Sequence, residues 1–292
     1  MQKAVLYKKI IPLICVMIAF VIVFISGCSS EPEFDISDIK TFRDIPGITQ
    51  DEIDQIDALR NSVDSFSFVS INSTQAFIKP DGSMTGFTAK VVDFLSELFE
   101  MPFEHSLYDW SVIKSGIDDL TFDFSADFTL TPERQLIYHM TYPVAQRTLG
   151  VFTYGDRVEI DSEFSLNGLR LGFIADSVHP AAVREAYPML EYETVLVLHC
   201  DEAIEKLISG EIDAYIMEAV EQIVFVKEPE IRFHHVIPLV YNPVAITTAN
   251  PDLDVIIKAI NKYISAGGVY HLRDLYIEGS LEYSRLLFHN SL

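Results

Sequence analysis

The chain has 292 residues, with 21 Lys and Arg against 43 Asp and Glu, for a formal net charge of −22. Such an acidic balance excludes a nucleic-acid binder that works by neutralising phosphates, because there is no basic surface to displace counterions. Three cysteines exclude a disulfide framework, and the length suits one two-lobed domain or two small ones.

In chain order, Lys3, Lys8 and Lys9 precede an apolar run from Ile10 to Ile25, the length of a signal-peptide core and short for a membrane span. The run ends Ile25-Ser-Gly-Cys28, which resembles the cleavage box of bacterial lipoproteins. That resemblance implies removal of residues 1–27 and a lipidated Cys28; the alternative is an uncleaved anchor helix. Both readings put the rest of the chain at the cell membrane, on its extracytoplasmic face. Taking away the three leader lysines leaves 18 basic side chains against 43 acidic ones, a net of −25. Cys15 lies in the leader, so Cys200 remains alone in the folded part and reads as a packing residue. Residues 28–45 are polar and acidic and read as a tether.

Thr49-Gln-Asp-Glu52 is a capping box, stapled by Ile48 and Ile53, opening a short helix with Ile53, Ile56 and Leu59 on one face. Phe66–Ile71 reads as a strand and Asn72–Phe77 as the loop after it. Pro80-Asp-Gly82 is a turn. A helix from Thr88 carries Val91, Val92, Phe94, Leu95, Leu98 and Phe99 on its buried side. Phe103–Leu107 is a second strand, and Trp110, the sole tryptophan, sits where that strand gives way to a helix. An aromatic side chain there is more often core than a ligand platform.

Phe124–Leu130 alternates apolar residues with small or polar ones and leads into Thr131-Pro-Glu-Arg134. Thr131 reads as an N-cap and Pro132 as the first helical residue. Arg134 then falls in the first turn, where the helix dipole disfavours a cation by a few tenths of a kcal/mol. A bound carboxylate would compensate through a two-pronged contact, and Glu133 is the local alternative. Thr148–Tyr154 is strand-like and leaves the first lobe. Leu166–Ser177 opens the second, Thr194–Leu198 is a strand, and Asp201–Gly210 is a helix capped by Asp201 and closed by Gly210. Glu218 ends an apolar strand, and a carboxylate there is costly to bury without a cationic partner. Pro243–Thr248 returns to the first lobe, a helix follows Asn250-Pro251 and closes at Gly267-Gly268, and His271–Leu292 reads as helices packing back over that lobe.

Thr129-Leu-Thr131-Pro-Glu-Arg134, followed by Tyr142-Pro143, resembles the signature of extracellular solute-binding proteins of the polar amino-acid class. The likeness extends over roughly residues 60–280. It implies an α/β, bilobal type II periplasmic-binding-protein fold with a two-segment hinge. The boundaries are residues 46–150 for the first part of lobe 1, 151–240 for lobe 2, and 241–292 for the return and the C-terminal helices. In that family the arginine holds the ligand carboxylate with help from a strand-end hydroxyl, roles that fall on Arg134 and Thr129. The acid after "Gly-x-x-Asp-Ala" takes the ligand ammonium, which points to Glu218. The first loop supplies an aromatic wall, here Phe77, and a Trp near the cleft points to Trp110. The "Leu-x-Gly, strand, Gly-Thr" segment becomes Leu166-Asn-Gly168 to Asp176-Ser177, so Ser177 retains a hydroxyl while Asp176 replaces the glycine. Asp127 stands where the family mostly has a small residue, and could bind the ammonium directly or select additional positive charge. The family's aspartate four residues after Gly86 is Lys90 here.

The resemblance therefore implies a lipid-anchored protein that captures a small zwitterionic ligand such as an amino acid, with no cofactor and no catalysis, for an ABC permease or for ligand sensing. Phe42–Glu52 resembles the preface of the sensor version of this domain. The alternative is accordingly the sensor domain of a diguanylate-cyclase or histidine-kinase type receptor, acting through a membrane signalling protein. A third reading is a cyclic-carboxylate dehydratase using Asp127, Glu218 and His139. Gly-x-Ser-x-Gly, His-Glu-x-x-His and a metal-ligand cluster are all missing from the sequence.

Overall fold

The computed structural model describes residues 36–290, so the leader and Cys28 lie outside the described residues. Residues 36–38 form a 3₁₀ turn, and the folded unit begins at Ile39. Ile39, Phe42 and Ile45 are buried, and Phe42 stacks on Phe99 at 5.9 Å. The end of the expected tether is thus part of the fold, because its apolar side chains find a core.

The first half of the chain runs α1 (Gln50–Ser62), β1 (Phe66–Ser70), β2 (Phe77–Ile78), β3 (Met84–Thr85), α2 (Phe87–Leu98), β4 (Phe103–Leu107), α3 (Trp110–Asp118), β5 (Phe124–Thr129), α4 (Pro132–Gln135), β6 (His139–Met140) and β7 (Ala145–Tyr154). The second half runs β8 (Arg170–Ile174), α5 (His179–Ala186), β9 (Glu193–Val197), α6 (Cys200–Ser209), β10 (Ala214–Glu218), β11 (Ile231–His234), β12 (Tyr241–Thr248), α7 (Asp254–Tyr263) and α8 (Val269–Asn290). Strands pair in the order β4-β1-β5-β12-β7-β10-β8-β9, with β6 on β12 and β11 on β7. In each lobe the strands joined by helices pair in parallel, as crossover connections require.

Two antiparallel strands tie the lobes together. β7 pairs with β12 through Ala145–Thr148 and then with β10 through Leu149–Phe152, so one strand serves both lobes. β12 brings the chain back and continues onto β5. Each lobe has its own apolar core. Leu149, Val151, Leu171, Phe173 and Ile216 form one face of lobe 2, and Phe152, Ile174, Tyr215 and Met217 form the other. This is the unbroken apolar pattern of strands covered on both faces. Val69, Ile113, Ile117 and Phe128 form a core in lobe 1, and Trp110 packs against this cluster as well as against the lobe 2 cluster of Phe152 and Met217.

α8 lies on lobe 1. Gly279 allows it to approach closely, since a Cβ there would stand 2.3 Å from the Phe87 nitrogen. Lys90, at the position where the family has an acid, reaches Glu282 at 3.0 Å and Glu278 at 3.6 Å on this helix, so its role is structural. Two local expectations change. α6 is capped by His199, whose Nδ1 accepts from the Glu202 N–H, rather than by Asp201. His139 lies in β6, not on the helix after Arg134, and its Nδ1 is 2.8 Å from Asp254.

Gly86 has φ +107, and a Cβ there would stand 2.4 Å from the backbone oxygen of Gln75. Gly86→Ala is therefore expected to lower unfolding stability by about 2–3 kcal/mol. Urea denaturation checks this, and an unchanged midpoint would show that the loop yields without cost.

Candidate functional site

The site is built around the end of β5. Thr131 caps α4 by accepting the Arg134 N–H, which fixes the backbone that carries the arginine. The half-buried guanidinium lies 5.2 Å from the Trp110 ring and 5.3 Å from the Phe128 ring. Its Nη1 donates to the Thr129 carbonyl at 3.3 Å, a single neutral acceptor. Among the described residues no carboxylate pairs with it, so Glu133 does not play that part. Burial pulls its pKa down from the usual guanidinium value, partly offset by the charges of Tyr138, Glu218 and Asp118.

Arg147, on β7, belongs to this cluster and was not singled out by sequence reasoning. It is 2% exposed, and its Nη1 lies 2.8 Å from Asp127 Oδ1 and 2.7 Å from Glu218 Oε2. Its Nε donates to Gln75 Oε1 at 2.8 Å. Glu218 pairs with Leu149 in the β10–β7 register, two residues from Arg147 and so on the same side of β7. One cation thus joins an acid of lobe 1 to an acid of lobe 2. The signal was present in the sequence: an arginine entering an apolar strand, and two acids at apolar strand ends, each needing a partner.

The two acids respond in opposite directions. Burial would raise the Glu218 carboxyl, but Arg147 and then His179 overcome it and hold it at about 2. Asp127 accepts the Ile71 N–H at 2.9 Å, yet burial, with the charge of Glu218, leaves it above its ordinary value despite Arg147. Burial and competition between two acids for one guanidinium account for that split.

Between the lobes lies a cavity of about 480 Å³. Six of the seven expected ligand residues line it: Trp110, Asp127, Thr129, Arg134, Ser177 and Glu218. Phe77 does not, being 1% exposed and set edge-on against Tyr283 of α8 at 5.6 Å. In lobe 2, Asp176 adopts φ +59, the left-handed conformation for which glycine is suited. The Ser177 hydroxyl turns back to donate to the Ile174 carbonyl at 2.8 Å. Beside it, His179 is 8% exposed and leaves Nδ1 without a partner. Cys200 lines the cavity too, and burial pushes its thiol well above the ordinary range, away from the reactive thiolate. Among the described residues no cluster of acids, histidines and cysteines could hold a metal ion, and no helix is long and apolar enough to cross a membrane.

No protein-family model matches the chain. It is 23% identical over 187 residues to YxeM of Bacillus subtilis (strain 168), a probable amino-acid-binding protein, covering 63% of this chain and 71% of that one. An amino-acid ABC transporter substrate-binding protein of Streptococcus pneumoniae, solved with L-arginine, superposes with a TM-score of 0.63 at 14% identity, covering 79% of this chain and 98% of that chain. The B. pertussis BvgS periplasmic domain superposes with a TM-score of 0.64 at 14% identity, covering 80% of this chain and 46% of that one. The fold is the bilobal α/β fold of type II periplasmic-binding proteins.

Proposed function

We propose that this chain is an extracytoplasmic solute-binding protein, lipid-anchored through Cys28, that captures a small zwitterionic ligand such as an amino acid between its lobes. The observation that carries this reading is Arg134, a guanidinium facing an interlobe cavity whose one hydrogen-bond acceptor among the described residues is a carbonyl. A ligand carboxylate on Arg134 and Thr129 would supply the missing charge and replace solvent with a two-pronged contact. The α-ammonium would then face Asp127 and Glu218, whose oxygens keep acceptor capacity beyond Arg147. Trp110 borders the apolar side. Closure follows only from contacts made to both lobes at once, and these groups belong to both.

Captured ligand would pass to an ABC permease, in keeping with the likeness to the streptococcal transporter component. Sensing is the second reading, favoured by the likeness to the BvgS periplasmic domain; its output would run through a membrane signalling partner.

A thermal-shift panel of amino acids, polyamines and small carboxylates tests capture. A ligand at one hundred times its dissociation constant adds about 2.7 kcal/mol, a readable rise in Tm. Hits are expected among amino acids; hits confined to polyamines, or none at all, would refute the reading.

A further inference from the structure

Arg147 leaves one acid of the cleft unanswered. Glu221, one 3₁₀ turn after β10, lines the same cavity as Asp127 and Glu218. It is influenced by Glu218, Arg147 and Asp127, in that order. Three carboxyls therefore share one internal guanidinium, and Arg147 spends its contacts on Glu218, Asp127 and Gln75. Asp127, 6% exposed, keeps Oδ1 without a hydrogen bond although it is ion-paired. Among the described residues no cation stands within ion-pair distance of Glu221. His179, on the lobe 2 side, still has Nδ1 unpartnered.

This arrangement has a charge count. Were all three carboxyls ionised around a bound ligand, Arg147 would answer one and leave two negative charges in excess. The α-ammonium of a zwitterion answers one of them, and its carboxylate answers Arg134. One acid remains. We propose that Glu221 is a second cation position in this cleft, so that the ligand it selects carries a positive charge on its side chain besides its α-ammonium. The inference rests on Arg134 as the carboxylate anchor, and it adds a residue that sequence reasoning did not single out.

Proton linkage supports the same assignment. Burial first, and the charge of Glu218 second, push the Glu221 carboxyl well above its ordinary range, and burial moves Asp127 the same way. With no cation beside it, burial favours the neutral form of the Glu221 carboxyl. A ligand cation at that place favours the ionised form, and the proton leaves for solvent. The charged and titratable groups around it are Glu218 and Tyr215 on β10, Asp127 on β5, Arg147 on β7, His179 on α5 and Cys200 on α6, with Arg134 on α4 and Lys227 lining the same cavity. Release of a proton on binding makes affinity rise with pH, by up to about tenfold per unit for each proton released.

The test is calorimetric titration of the protein with L-arginine and its neutral isostere L-citrulline, in two buffers of different ionisation heat. L-lysine and L-norleucine repeat the comparison with an ammonium. The cationic member of a pair is expected to bind at least tenfold more tightly at pH 7.5 and to release about one proton more. Glu221→Gln should erase that advantage and leave the neutral member within about threefold of its wild-type affinity. Equal affinities in the wild type, or an advantage that survives Glu221→Gln, would overturn the assignment to Glu221. Tight binding of citrulline alone would overturn this inference and leave the carboxylate reading standing. Binding of neither pair, together with a carboxylate panel showing no hit, would overturn the carboxylate reading first.

Discussion

Replacing Arg134 with alanine is expected to weaken ligand binding by about 100-fold or more while leaving the fold intact. Losing one partner of a desolvated, hydrogen-bonded charge pair costs about 2–5 kcal/mol of binding free energy. The protein itself loses little. Among the described residues Arg134 has no carboxylate partner, and its contacts are one carbonyl and the Trp110 and Phe128 rings. Its removal should therefore leave Tm unchanged or slightly raised, the usual relation between stability and a residue retained for function. Trp110 provides the readout. It is the only tryptophan in the chain, and the guanidinium lies 5.2 Å from its ring, so a bound carboxylate should alter its fluorescence. Unchanged affinity in the variant would remove the anchor from the account. A large fall in Tm would make Arg134 a structural residue.

Arg147→Met should show the reverse pattern, with a large effect on stability that depends on pH. Its guanidinium is the shared partner of two nearly buried acids. Removing one member of such a group costs about 3–5 kcal/mol, because uncompensated charge stays buried. Without Arg147, Asp127 and Glu218 would both titrate above their unfolded values. A group raised in this way contributes stability that is complete below its unfolded pKa and is lost as pH rises through the folded one. The variant should thus come nearest to the wild type in acid and fall away towards neutral pH. In the wild type Glu218 behaves oppositely: held at about 2 against an ordinary 4.5, it contributes stability that is present above about 4.5 and lost as pH falls towards 2. Adding Asp127→Asn and Glu218→Gln to Arg147→Met should restore much of the loss. Urea unfolding at acid and neutral pH measures both effects. A deficit independent of pH would point to lost packing rather than lost charge.

Much of this architecture is legible locally. Thr131, Pro132 and Arg134 form a helix start whose chemistry spans four residues, and the structure has that cap. Gly267, with φ +106, lies at the kink before α8, where Gly267-Gly268 closes the preceding helix. Arg147 was hidden for a different reason. Its acids lie 20 and 71 residues away on other strands, and only the β7 register brings them together. The sequence states that such acids need a partner but not which cation meets them. Phe77 shows the limit of position in a loop, since its ring turned towards α8, more than two hundred residues downstream, instead of the cleft. The tether ended earlier than its polarity suggested because Phe42 and Ile45, separated by charged residues, still reach the core.

The most direct test is a crystal structure of the protein with the tightest ligand of the panel. The ligand carboxylate is expected on the Arg134 guanidinium beside Thr129, over Trp110, with its amine directed at Asp127 and Glu218 and Arg147 still holding both acids. A ligand whose carboxylate sits elsewhere in the cleft, with Arg134 untouched, would contradict that placement.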